Sequence, residues 1–259
     1  MIRAGWRGAV AALALAASPA AADCRIALSL AIDVSASVDA AEYALIRGGL
    51  AASLVAPEVR AAFFSAPGRV VALHVYEWSG AWQQARRLGW TLIATEADLE
   101  AAAARVAAMT RSQDEFPTAI GNALGYGAGA LADSPACARR VLDVSGDGIG
   151  NAGVAPEAVD GIFPMAGVQV NGLVVGGDPA VARYYMQRVV RGPGAFVEPA
   201  ADYADFERAM RRKLVRELTV PNLSRRDPGP RYEMFAAGDG QRRPPDGGPA
   251  GDAAPGIRR

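Results

Sequence analysis

Histidine is almost missing from this 259-residue chain, with His74 standing alone. Since no Gly-x-Ser-x-Gly elbow occurs either, a Ser-His-Asp hydrolase has poor material. No phosphate loop ending in Gly-Lys-Ser/Thr occurs. The glycines of Gly125, Gly127 and Gly129 imitate a dinucleotide loop but fall within an expected helix, not between a strand and its helix. Net charge is also lacking: Lys plus Arg total 27, Asp plus Glu total 27, and no basic stripe stands outside the C-terminal tail, so nucleic acid is not an indicated partner. Cysteine is limited to Cys24 and Cys137. In an exported chain one disulfide between them is the natural reading, provided the fold brings them together; otherwise both are free buried thiols.

The two ends differ from the middle. Arg3 and Arg7 precede an apolar run over 9–17, and Ala20-Ala21-Ala22 offers a small-residue cleavage site before Asp23. Residues 1–22 therefore read as a signal peptide, the run being too short to span a bilayer. An uncleaved anchor is the alternative. Asp23 ahead of Cys24 stands where a lipoprotein signal wants a small residue, so the expectation is a soluble periplasmic or secreted protein with no integral membrane segment after cleavage. Residues 221–259 hold seven prolines and seven glycines and read as a disordered Pro/Gly/Arg tail. What remains, 23–220, is the size of one α/β domain.

Within that body, 25–32 is a nearly continuous apolar run, as a strand buried on both faces requires. A helix follows, with Asp39 and Glu42 in capping-box positions and Tyr43, Ile46, Leu50 and Leu54 as its buried stripe. Residues 70–78 are a second strand. Ser79-Gly80 turns toward a third over 88–94, which the hairpin makes antiparallel. Helices are expected over 95–109 and 118–131, a fourth strand over 140–145, a helix from Pro156, and a fifth strand over 168–175. A helix over 178–190, a short strand over 195–197 and a closing helix over 202–218 complete the body. Arg208, Arg211, Arg212 and Lys213 are assigned to the solvated face of that last helix, opposite Phe206, Met210, Leu214 and Leu218. The alternation implies a mainly parallel, doubly wound sheet with helices on both faces.

In such sheets ligands sit beyond the carboxyl ends of the strands. Asp33, Ser35 and Ser37 follow the first strand, Thr118 opens a helix, and Asp147 follows the fourth strand. Together they offer two carboxylates and three hydroxyls, hard oxygen donors suited to Mg²⁺, with Mn²⁺ or Ca²⁺ as alternatives. Ser35, Ser37 and Asp39 could instead compete to cap the next helix. His74, inside the second strand, reads as a packed or edge residue. Glu77 and Trp78, at that strand's end, read either as a partner-binding rim or as internal packing.

The pattern Asp33-x-Ser35-x-Ser37, Thr118 in Phe116-Pro117-Thr118, and Asp147 in Ser145-Gly146-Asp147-Gly148 resembles the metal-ion-dependent adhesion site of von Willebrand factor A domains. More narrowly, 76–80 and 118–124 look like a family of exported bacterial proteins labelled domain of unknown function 1194. The resemblance implies six strands in the order 3-2-1-4-5-6 with strand 3 antiparallel, and a metal held directly by Ser35, Ser37 and Thr118, with Asp33 and Asp147 acting largely through water. It also implies that the first and fourth strands are parallel neighbours. Cys24 lies 9 residues before Asp33 and Cys137 lies 10 before Asp147, so the two thiols should meet.

The implied function is a metal-dependent adhesion or scaffold module whose partner protein presents an Asp or Glu carboxylate. Two alternatives stand beside it. A metal-assisted phosphohydrolase would usually place a second aspartate where Ser35 stands, and a purely structural domain would use metal only to hold its loops.

Overall fold

The apolar run after Cys24 becomes the central strand of the sheet. In the computed structural model, which describes residues 23–219, β1 (Asp23–Asp33) is buried from Cys24 onward because both its edges and both its faces are covered. α1 (Ala40–Leu54) and α2 (Pro57–Phe63) follow, then β2 (Arg69–Trp78), β3 (Gln84–Ile93), α3 (Glu96–Ala107), α4 (Ile120–Ala132) and β4 (Cys137–Gly146). After β5 (Val168–Val175) come α5 (Pro179–Tyr184), β6 (Val197–Ala200) and α6 (Phe206–Thr219). The sheet order is β3-β2-β1-β4-β5-β6; β2 and β3 pair antiparallel and all other pairs are parallel. Residues 1–22 and 221–259, read above as signal and tail, lie outside the described residues.

Alternation along the strands divides the core into two layers. Leu28, Leu30 and Ile32 face α1, α3 and α6 through Ile46, Leu50, Leu99, Val106 and Phe206. Ala27, Ala31, Tyr76 and Leu142 face α4 through Ile120, Leu124 and Ala128. Gly127 allows that second contact, since a Cβ there would lie 2.6 Å from Leu142 Cδ1 and 2.7 Å from the Tyr76 hydroxyl. None of the helices among the described residues is long and apolar enough to cross a membrane.

Pro57 takes the first-turn position of α2, where its missing N–H costs nothing. Three local expectations change. The helix expected from Pro156 is one short 3-10 turn, Pro156–Gly161. The helix expected over 178–190 widens after α5 into a π turn, Tyr185–Val189, which buries Tyr185 completely beneath Gly146. Lys213 is not on a solvated face: it is fully buried, its Nζ 2.5 Å from Asp143 Oδ2 and 2.6 Å from Glu217 Oε1. At seven residues from Phe206 and four from Glu217, it belongs to the helix's buried stripe, and the two carboxylates make that burial tolerable.

The cysteines meet. Cys24 and Cys137 are register partners on β1 and β4 and form a disulfide. His74 is a packed residue: it is buried, its Nδ1 is 2.9 Å from Ser29 Oγ, and its ring stacks on Trp90.

Candidate metal centre

The competition for capping α1 has a clear winner. Asp39 accepts from the Glu42 N–H at 2.8 Å and donates its own N–H to Glu42 Oε2 at 2.7 Å. Ser35 and Ser37 are thereby left out of the cap. Thr118 is likewise not a cap: α4 starts after Ala119 with no side-chain hydrogen bond to its first turn.

These freed hydroxyls converge. Thr118 Oγ1 donates to Ser35 Oγ at 3.3 Å, Ser35 Oγ lies 3.3 Å from Ser37 Oγ, and Ser37 Oγ donates to Asp147 Oδ1 at 2.9 Å. The fifth residue, Asp33, accepts from the Ser35 N–H on Oδ1 at 2.8 Å. Its other oxygen, Oδ2, is buried with no hydrogen-bond partner. Burial, with nearby Asp147 adding to it, pushes the Asp33 carboxyl up to about 7, although its bonds to Ser35 and the Arg111 guanidinium oppose the shift. The hydroxyls of Tyr185 and Tyr203 face the same carboxylates. Both are held well above the usual phenol range, chiefly by burial, then by Asp33 and Asp147.

Backbone contacts hold the three contributing loops together. Ala36 N–H donates to Phe116 O at 2.9 Å and Val34 N–H to Trp78 O at 2.9 Å. Asn151 works in both directions, its Oδ1 accepting from the Thr118 N–H and its own N–H donating to Thr118 O, each at 2.9 Å.

Two hard carboxylates and three hydroxyls around an unpaired buried oxygen fit a divalent ion such as Mg²⁺. Among the described residues no three His, Cys, Asp or Glu side chains gather at one point, so such an ion has to draw on hydroxyls.

Glu77 and Trp78 do not form a rim. Both are 0 % exposed, because β2 carries them into the interior on opposite faces of the sheet. Exposed apolar side chains at this end come instead from neighbouring loops. Trp82, at the β2–β3 hairpin tip, is 88 % exposed, and Ile149, two residues after Asp147, is 51 % exposed. The hairpin is bound to the Thr118 loop by Ala119 N–H to Ser79 O at 2.8 Å and Asn122 Nδ2 to Ala81 O at 3.1 Å. A tryptophan inside a turn, where no strand periodicity asks for it, was the available sequence signal. Tyr185, Tyr203, Asn151 and Arg111 gave none, since each reaches the site only through the fold.

The 3-2-1-4-5-6 sheet, with β3 antiparallel, has the fold of von Willebrand factor type A structures. Over residues 23–222 the chain matches the model of the family "Protein of unknown function (DUF1194)", and it belongs to that family. No curated protein matches it.

Among solved structures it is similar to proximal thread matrix protein 1 from the mussel byssus, at 14 % identity and a TM-score of 0.58 over 76 % of this chain and 48 % of that one. A second structure of the mussel protein, with a zinc-occupied MIDAS motif, gives 14 % identity and a TM-score of 0.57 over 74 % and 48 % of the two chains. A von Willebrand factor type A protein from Catenulispora acidiphila gives 13 % and 0.53 over 76 % and 43 %. The chain thus spans less than half the length of these structures, and at such identities the likeness concerns the fold alone.

Proposed function

We propose that this protein is an exported, metal-dependent binding module in which Ser35, Ser37 and Thr118, with Asp33 and Asp147, hold a divalent ion, most simply Mg²⁺, that receives a carboxylate from a partner protein. The observation that carries the reading is the chain of oxygens from Thr118 through Ser35 and Ser37 to Asp147, beside the unpaired buried oxygen of Asp33. The bound ion would supply a positive charge and coordination positions open to an acidic side chain. The protein's own residues do the rest. Their two carboxylates balance the ion's charge without filling its shell, and Trp82 and Ile149 offer apolar contact beside it. The mussel relative with zinc in its MIDAS motif supports a metal at this place, and the disulfide supports an oxidising compartment such as the periplasm.

Random peptides displayed in Mg²⁺ test the reading. Peptides bearing Asp or Glu should be enriched, released by chelator, and lost on Asp147→Ala. Trp82→Ser should weaken them at least about tenfold while leaving metal affinity unchanged. Equal recovery in chelator, or equal capture by Asp33→Ala, overturns the proposal.

A further inference from the structure

We infer that Glu77 and Arg111, neither of them a donor to the site, are the positioning residues that fix the Asp33–Ser37 loop in its binding shape; this rests on the metal-binding reading above. Glu77 lies fully buried at the end of β2 and gathers three elements. Its Oε1 accepts from the Tyr43 hydroxyl of α1 at 2.6 Å, and its Oε2 accepts from the Ser112 N–H at 2.9 Å. Arg87 of β3 stands 3.7 Å from Oε2 and donates to Thr110 O at 2.5 Å. Residues Thr110 and Ser112 are thus pinned on either side of Arg111.

Held this way, Arg111 reaches the metal loop from outside. Its Nη2 donates to Val34 O at 3.1 Å and to Ser35 O at 3.0 Å. With those two carbonyls taken by Arg111, and the Val34 and Ala36 N–H groups bonded to Trp78 O and Phe116 O, the Ser35 N–H and the Ser35 and Ser37 hydroxyls are left to turn inward to Asp33, Thr118 and Asp147. The loop's shape therefore depends on a buried carboxylate one strand away. That explains why a carboxylate is kept where neither solvent nor an ion can meet it, a position that is costly unless its hydrogen bonds matter.

Arg111 also brings a positive charge toward a cation site, so charge and position predict opposite signs. If it acted only through charge, removing it would tighten metal binding. If it positions the loop, removing it weakens binding 10- to 100-fold, the usual cost of losing a group that orients a ligand. The experiment titrates Mn²⁺ alone into the purified chain, reading free Mn²⁺ by electron paramagnetic resonance, with Mg²⁺ as competitor and thermal unfolding in chelator as the check on folding.

For Arg111→Met we expect affinity to fall 10- to 100-fold with the metal-free melting temperature nearly unchanged. Glu77→Gln should weaken binding in the same direction. Because both act along one path, the double variant should be little worse than the poorer single one. Unchanged or tighter Mn²⁺ binding by Arg111→Met, or additive losses in the double variant, overturns the inference while the metal reading stands. A wild-type chain that takes up no Mn²⁺ overturns both.

Discussion

The two ends of the sheet treat polar groups in opposite ways. Where β1 and β4 begin, most are bonded inside the protein, Arg25 Nε being the exception. Cys24 is bonded to Cys137. Arg25 donates to Leu218 O at 2.6 Å, Ala62 O at 2.7 Å and Phe63 O at 2.8 Å, which closes the carboxyl ends of α2 and α6. Where the same strands finish, buried polar atoms are left over: Asp33 Oδ2, Trp78 Nε1, Ser79 Oγ and the Tyr185 hydroxyl have no hydrogen-bond partner. Buried unpaired groups are rare in folded proteins, and a water or an ion is among the things that complete them. One end is thus largely closed by internal bonds, and the other leaves buried polar atoms open.

Opening the closed end should give the largest effect. The Cys24–Cys137 bond spans 113 residues, and in the chain-entropy model its loss costs about 4–5 kcal/mol. Denaturant unfolding of a Cys24→Ser/Cys137→Ser double variant should show that loss, while Mn²⁺ affinity stays within about twofold. A parallel fall in metal affinity would show that the two ends are coupled and break the comparison.

A second and smaller effect belongs to the middle of the sheet. Burial, with Arg86 adding to it, holds the His74 imidazole down to about 4 from its ordinary 6.5. The unfolded chain takes up the proton first, so this contribution to stability is complete above pH 6.5 and is lost as pH falls toward 4. The loss is about 3 kcal/mol at most. Unfolding free energies of wild type and His74→Phe, measured between pH 4 and pH 7, should differ in slope, the variant being the flatter. Equal slopes would mean that Ser29 and Trp90 hold the ring in its charged form as readily as in its neutral one.

How much of this was legible beforehand follows from what each signal depends on. Residues 25–32 announced a central strand because a nearly continuous apolar run leaves little choice, and Asp39 with Glu42 announced α1 through local hydrogen bonding. Asp33, Ser35, Ser37 and Asp147 stood at or just past strand ends, where parallel topology makes position readable, and Thr118 stood just before the start of a helix. Glu77 and Trp78 stood at a strand end too, but burial on both faces of β2 cannot be read from spacing alone. Lys213 misled for a related reason: among three arginines it looked solvated, and only the carboxylates of Asp143 and Glu217 explain its place inside. The π turn at Tyr185 had no local signal, and the close approach of its hydroxyl to Gly146 is a contact between residues far apart in sequence.

Asp33 is where the contrast between the ends can be tested within one residue. Its carboxylate is buried, half unpaired and close to Asp147, so without an ion it opposes folding at pH 8; if it holds the ion proposed above, that cost is offset on binding. Asp33→Asn keeps the size and can keep the acceptor for the Ser35 N–H, but removes the charge. In chelator the variant should therefore be more stable than wild type by about 1–3 kcal/mol, and it should lose the rise in melting temperature that Mg²⁺ gives the wild type. Urea unfolding at pH 8, with and without Mg²⁺, measures both. A variant less stable than wild type in chelator would show Asp33 to be a structural residue, and the open end would then owe its unpaired oxygen to packing and not to a ligand.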